Sequence, residues 1–381
     1  MASRQPVQYQ MEGCAVNIIR KLDRYRRLVL TGRMRWRVAV GIIHSAAVLF
    51  GSPVGISAQT APSGLFVESA PVHLTATYEE WIARAYPTAA RELPDPAPDM
   101  KKVGAYFTPD LYQSLNGAND VVANRIVYLS DGLKIHGFEV RPRTSVPPPP
   151  IIIWCRGGIG DVGVIRTGDL MIMAQWARRG FIVLATQYRG AAGSEGKDEY
   201  GGKDIDDVLT LVQLAHRLPN ADHENVFLYG LSRGGMEVYE AIAAGADVRA
   251  AVVNSGISDL ATVNDRRPDR KEMEALLAAA IPNFAEERRT GFESRSAIRW
   301  ASKLTVPLLI LHGTADWRVP ADQALNLALR LQATGGTYSL TTISAGTHVE
   351  LTGDQNQVDA LVLEFFRSYR RESTLQGPIH R

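Results

Sequence analysis

A serine hydroxyl attacks a carbonyl carbon only when a neighbouring base takes its proton, an acid orients that base and N–H groups receive the anion that forms. Ser232, in Gly230-Leu231-Ser232-Arg233-Gly234, is placed for that task. The residues before it, Val226–Tyr229, are apolar and strand-forming, and those after it have helical spacing. Where a strand reverses sharply into a helix, the serine takes a strained backbone that lifts its hydroxyl above the sheet. Small flanking residues avoid collisions between that strand and helix. The helix starting beside Ser232 also offers free N–H groups and the positive end of its dipole.

Where the serine stands at such a strand-to-helix elbow, the acid and then the base follow it in the chain, in the order Ser, Asp or Glu, His. The strand in "VPLLILHGTADWRVP" runs out just before Asp316, at the sheet edge where catalytic side chains gather. The next strand leads through "SAGTHVE" to His348, with Gly346-Thr347 free to turn the imidazole inward. The other histidines are poorer bases. His44 lies in the leader, His380 in the tail, His216 and His223 ahead of the serine, His136 in a hairpin and His73 in the N-terminal extension. His312 belongs to the strand end that carries the acid, where packing or hydrogen bonding is the expected role. For the anion, one donor is the N–H of Arg233, the residue after the nucleophile. The other comes from the loop after Ile151–Trp154, where Gly157 and Gly158 let the backbone approach a substrate oxygen.

The elements that hold these residues alternate. Short β-branched runs at Ile151–Trp154, Phe181–Thr186, Val226–Tyr229, Ala250–Asn254, Pro307–His312 and Tyr338–Ile343 are separated by helical patterns. In one of these, Ile205, Val208, Leu209, Val212 and Ala215 share a helix face. Apolar strands alternating with helices predict an α/β fold, a mostly parallel sheet of eight strands covered on both faces. Ahead of them "VVANRIVYLSDGLKIHGFEVRP" alternates and breaks at Ser130-Asp131-Gly132, a hairpin pattern. The longest break, Ser255 to Leu304, holds a charged helical piece and reads as an insertion over one end of the sheet. Residues 59–120, polar with Pro-rich spacers, read as a helical extension, and 121–381 as the catalytic domain.

With 381 residues, 45% hydrophobic and 22% charged, the chain can bury a large core without disulfides or metals. The net charge of +2 is uneven: residues 1–58 hold nine Lys/Arg against Glu12 and Asp23, leaving 33 bases and 38 acids, a charge of −5, in the rest. Such a body is unsuited to nucleic acid. The first 58 residues read as a leader, with Arg35 and Arg37, an apolar run Val38–Phe50 and small residues up to Ala58. That run is shorter than the ~20 residues needed to span a bilayer. Cleavage near Ala58 and a secreted or periplasmic product are expected, without a stable membrane partner, and Met34 is an alternative start. Cys14 and Cys155 form no metal-ligand cluster with histidine, so neither metal nor cofactor is expected.

From about Ser130 to Arg370 the chain resembles the catalytic domain of prolyl-oligopeptidase-type serine peptidases of the α/β-hydrolase superfamily. The resemblance rests on "YRGAAGSEGKDEYGGKDIDDV", "YGLSRGGM", "RSAIRWASKLTVPLLILHGTADWRVP" and "GTH". It implies Ser232 as nucleophile, Asp316 as acid and His348 as base, with Tyr188-Arg189-Gly190 and Gly201 to Asp207 as structural braces. Two departures stand out. The residues between Ala58 and the first strand are too few for the β-propeller that many members carry. And Arg156 occupies a position where members often have His or Tyr, so it either adds charge to the anion hole or points to solvent. The expected reaction is acyl-enzyme hydrolysis of small esters or short peptides. A catalytically silent binding protein is disfavoured, because it would not need all three residues at the right strand ends.

Overall fold

The computed structural model describes residues 64–84, 100–117, 120–348 and 355–372. The leader lies outside them. Nine strands form one sheet in the order β1-β2-β3-β5-β4-β6-β7-β8-β9. The six strands from β5 to β9 in that order run parallel, as the alternating pattern predicts: β4 (Ile151–Cys155), β5 (Ile182–Thr186), β6 (Val226–Leu231), β7 (Ala250–Asn254), β8 (Leu308–Gly313) and β9 (Tyr338–Ile343).

At the other end β2 (Val121–Ser130) and β3 (Leu133–Pro142) make the expected hairpin, closed by Ser130 opposite Leu133. Asp131 and Gly132 both have positive φ, the geometry a two-residue hairpin requires. The ninth strand, β1 (Glu68–Pro71), pairs antiparallel with β2 and lies within the segment read as helical. Four half-exposed residues are too few to show a period of two, so this strand leaves no trace in the sequence pattern. Helix does follow it, at residues 78–84, in α1 (Met100–Tyr106) and in α2 (Pro109–Ser114).

Alternate residues of the central strands feed opposite faces. Ile151, Ile153 and Cys155 pack with α4 (Ile205–Ala215), α5 (Arg233–Ala243) and α9 (Asp322–Thr334). Ile152 and Trp154 pack with α3 (Thr167–Arg178) and α10 (Gln355–Ser368). Burial on both sides explains why these strands are apolar throughout. The extension is fastened to the second face: Tyr106 Oη donates to Asp359 at 2.8 Å, and Arg179 pairs with the same carboxylate at 2.9 Å.

The insertion consists of α6 (Leu260–Arg266), α7 (Arg270–Ala280) and α8 (Phe284–Ser294). It has its own small core of Leu260, Val263, Leu277, Ile281 and Phe292, packed on Tyr200, Met236 and Val319.

Candidate active site

Ser232 sits between β6 and α5 with φ of 55° and ψ of −119°, outside the regions favourable to side-chain-bearing residues. Strain of this kind costs about 1–3 kcal/mol and persists only where the surroundings enforce it. Here the serine N–H donates to Asn254 O of the adjacent strand at 2.9 Å. The neighbouring glycines are required by close approach. A Cβ on Gly234 would lie 2.0 Å from Cys155 O, and one on Gly230 would lie 2.3 Å from Gly234 O.

Asp316 lies three residues beyond the end of β8 and its side chain is buried. Its Oδ1 accepts the N–H groups of Arg318 and Val319, each at 2.9 Å, which fixes the carboxylate plane. Its Oδ2 accepts from His348 Nδ1 at 2.7 Å. Burial pushes the carboxyl pKa up, but hydrogen bonds from His312 and His348 outweigh it and hold the group well below the usual carboxylate range. Asp316 is therefore anionic at neutral pH.

His348 follows β9 through a tight turn. Ala345 N–H donates to Thr314 Oγ1 at 2.8 Å and Ala315 N–H to Gly346 O at 2.8 Å, tying this turn to the one that carries Asp316. His348 Nε2 lies 2.9 Å from Ser232 Oγ. Because Nδ1 faces a carboxylate it carries the proton, and Nε2 is left to accept from the serine hydroxyl. The three residues form one hydrogen-bonded chain although 116 positions separate Ser232 from His348.

Gly157 borders the serine: a Cβ there would stand 3.3 Å from Ser232 Cβ and 3.2 Å from Leu231 O. Arg233 opens α5, so its N–H has no carbonyl one turn back within the helix and is free for an anion. Arg156 corrects both sequence expectations. Its side chain neither enters the anion hole nor reaches solvent; the residue is only 2% exposed. Its guanidinium is occupied by backbone carbonyls: Gln187 O at 2.7 and 3.1 Å, Gly157 O at 2.9 Å, Gly160 O at 3.0 Å and Val162 O at 3.4 Å. The ring of carbonyls around one donor fork folds the loop after β4. A single arginine in a glycine-rich run gives no sign of this in the sequence.

Beneath the serine lies a charge network that the motif alone did not disclose. The Arg233 side chain is buried and pairs with Asp198 at 2.7 Å, Asp204 at 2.5 Å and Glu237 at 2.6 Å, and it donates to Gly158 O at 3.1 Å. Asp198 in turn accepts Gly160 N–H at 2.7 Å. Burial and the charge of Asp204 raise the pKa of neighbouring Glu240 well above normal, and burial does the same for Glu237. The sequence signal was present: the acids come from "KDEYGGKDIDDV" and from one turn into α5. Nearby Arg189 pairs with Asp207 at 2.7 Å, a brace as expected. His312 is buried, with Nε2 2.7 Å from Val319 O and 3.5 Å from Asp316 Oδ2, so it backs the acid. Of the other histidines, His216 and His223 bond to backbone carbonyls away from the serine. Among the described residues no group of three or more His, Cys, Asp or Glu is placed to hold a metal ion.

A mostly parallel sheet with a serine at a strand-to-helix elbow, an aspartate after a later strand and a histidine after the next defines an α/β hydrolase. The model of the prolyl oligopeptidase family matches residues 169–372, and the chain belongs to that family of serine-type peptidases and hydrolases. It is 30% identical over 208 residues to the uncharacterized peptidase YtmA of Bacillus subtilis (strain 168), an alignment covering 54% of this chain and 78% of YtmA. Among solved structures, an acylaminoacyl peptidase in complex with Z-Gly-Gly-Phe-chloromethyl ketone superposes with a TM-score of 0.56 at 21% identity. That match covers 68% of this chain and 43% of the peptidase, so the chain spans under half of its length. Acetyl xylan esterase 1 from Thermoanaerobacterium gives a TM-score of 0.52 at 16% identity over 75% of this chain and 99% of the esterase.

Proposed function

We propose that Ser232 is the nucleophile of an acyl-transfer hydrolase, with His348 as general base and acid, Asp316 as its orienting partner, and the N–H groups of Arg233 and Gly157 as the anion hole. The observation that carries this reading is the continuous chain from Ser232 Oγ to His348 Nε2 at 2.9 Å and from Nδ1 to Asp316 at 2.7 Å. Ser232 Oγ attacks the substrate carbonyl carbon while Nε2 takes its proton. The carbonyl oxygen becomes an oxyanion held by the two N–H groups. Nε2 then delivers the proton to the leaving amine or alcohol, and water repeats the sequence to release the acid.

The substrates proposed are short peptides and small esters. Membership of a peptidase family supports the first, and the acetyl xylan esterase built on this fold supports the second. The insertion bears on the choice. Only Leu277 and Ala280 of α7 and Phe292 of α8 are buried, so these helices form a thin cover. A thin cover supplies little remote binding energy to drive cleavage of a stable amide. Short-chain aryl esters should therefore turn over faster than matched amides.

The test is covalent labelling by a fluorophosphonate. Ser232 should be modified in the wild type, labelling should vanish in Ser232→Ala and fall severely in His348→Ala; an adduct on another serine would end the assignment. Asp316→Asn should fold but lose up to ~10⁴ in kcat through the wrong imidazole tautomer. Paired kcat/KM values for an ester and its amide settle the preference, and efficient amide cleavage with negligible ester turnover would reverse it. Export is proposed too, on the basic, apolar and small-residue order of residues 35–58. Sequencing the secreted product should find Gln59, or a residue within a few of it, at the amino end; a soluble cytosolic product retaining the leader would refute it.

A further inference from the structure

The Tyr188 hydroxyl has no part in the acyl transfer itself, yet its surroundings aim it at the back of the peptide that carries the Gly157 N–H. Tyr188 lies two residues beyond β5, fully buried, with a φ of 62° that a side-chain-bearing residue seldom adopts. The turn is held from below: Tyr188 N–H donates to Thr186 Oγ1 at 2.9 Å, and Tyr128 Oη donates to the same hydroxyl oxygen at 2.7 Å. Both arginines of the site, Arg156 and Arg233, place their guanidinium groups over the Tyr188 ring, each 4.9 Å from its centroid. Thus the ring is fixed by its backbone and by two cations. The phenol Oη donates to the carbonyl oxygen of Arg156 at 3.1 Å.

That carbonyl belongs to the peptide unit whose N–H is Gly157's. In a trans peptide the C=O and N–H point in opposite directions, so whatever holds one aims the other. A hydrogen bond accepted at the carbonyl also polarises the unit and strengthens its N–H as a donor. The guanidinium of Arg156, gripping the carbonyls of Gly157, Gly160 and Val162, keeps the rest of the loop from following a displaced peptide. We propose that Tyr188 is a positioning residue for the anion hole: its hydroxyl, by holding the Arg156 carbonyl, fixes and polarises the peptide whose N–H stabilises the oxyanion. This rests on the assignment of Ser232 and Gly157 made above. Burial raises the phenol pKa well above normal, so the hydroxyl stays a donor throughout the working pH range.

The experiment is Tyr188→Phe, which removes one hydroxyl and keeps the ring beneath both guanidinium groups. Rates are expressed per reactive serine, counted by the burst from an activated ester, so that lost protein is not read as lost rate. The expected result is a fall in kcat of about tenfold, smaller than the 10²–10³ for deleting a donor outright. KM should stay within about twofold, since the interaction strengthens only in the transition state. A peptide boronate, which mimics the tetrahedral oxyanion, should bind more weakly by the same factor as kcat/KM falls. The pH midpoint of the acid limb should not move, because His348 and Asp316 are untouched. An unchanged kcat per site would overturn the proposal, as would a loss confined to KM or to the number of reactive serines. Absence of Ser232 labelling in the wild-type protein would instead sink the underlying assignment, so the two failures are told apart.

Discussion

Two networks of arginine and carboxylate in this protein use the same chemistry under opposite conditions. Around Arg233 the groups are buried: the arginine, Asp204 and Glu237 side chains are at most 1% exposed, and the distances are 2.5 to 2.7 Å. In the insertion, Arg270 and Arg288 share Asp265 and Glu274 at 2.9 to 3.8 Å, with every one of these side chains about a third exposed or more. Water competes with every pair in the second network and with none in the first. Exposed pairs contribute about 0–1 kcal/mol, whereas removing one partner of a buried pair costs about 3–5 kcal/mol. The network that cannot rearrange lies under the serine and the anion-hole loop. The replaceable one lies in the insertion, away from the hydrogen-bonded chain of Ser232, His348 and Asp316.

The strongest way to break that contrast is Arg233→Met. Methionine fills much of the volume but leaves Asp198, Asp204 and Glu237 facing one another without a cation, and it frees Gly158 O. Stability in urea should fall by about 3–5 kcal/mol, and activity should fall even where the variant remains folded, because the loop loses its anchor. A variant within 1 kcal/mol of wild type would show that the carboxylates simply take up protons and that the buried network has no special weight.

How much of this was legible beforehand follows the same division. Ser232, Asp316 and His348 were readable because each sits at a strand end, and strands buried on both faces announce themselves as apolar runs. The six parallel strands were readable for the same reason and the hairpin from its alternation and its break at Ser130-Asp131-Gly132, whereas β1, four residues with no interior, was not. Arg156 was misread because its partners are backbone carbonyls of a loop, which carry no side-chain signature. Tyr188 was legible only as part of a motif. Its role depends on which way one carbonyl points, a property of φ and ψ that residue types do not encode.

A smaller effect sharpens the buried half of the comparison. Glu240 is buried, its Oε2 has no hydrogen-bond partner among the described residues, and burial together with Asp204 raises its pKa well above normal. The folded protein therefore keeps this proton at pH values where the unfolded chain, with a carboxyl near ~4.3, has lost it. The unfolded state then binds fewer protons, so stability falls as pH rises above the ordinary carboxylate range. Glu240→Gln cannot ionise and escapes that fall. Wild type and variant should melt together near pH 4.5, and by pH 8 the variant should melt at the higher temperature. Loss of stability in the variant at pH 8 would mean that Glu240 is ionised and paired.

The smallest effects belong to the insertion, and there the two arginines should part company. Arg270 makes only exposed ion pairs, with Asp265 at 3.1 Å and Glu274 at 3.6 Å. Arg270→Ala should cost no more than about 0.5 kcal/mol. That cost should disappear in 1 M salt, where the screening length is about 3 Å. Arg288 pairs with the same two acids but also lies over the ring of buried Phe292, 4.6 Å from its centroid. Its stem and guanidinium cover apolar surface as well as carrying charge, and salt does not screen lost packing. Arg288→Ala should therefore cost more than Arg270→Ala, by about 0.5–1 kcal/mol, with that excess surviving high salt. In both variants the rate of fluorophosphonate labelling of Ser232 should match wild type, because the reagent is small and the groups that activate the serine lie beneath it. Slower labelling in either variant would place the insertion in the serine's own support and remove the distinction between the two networks.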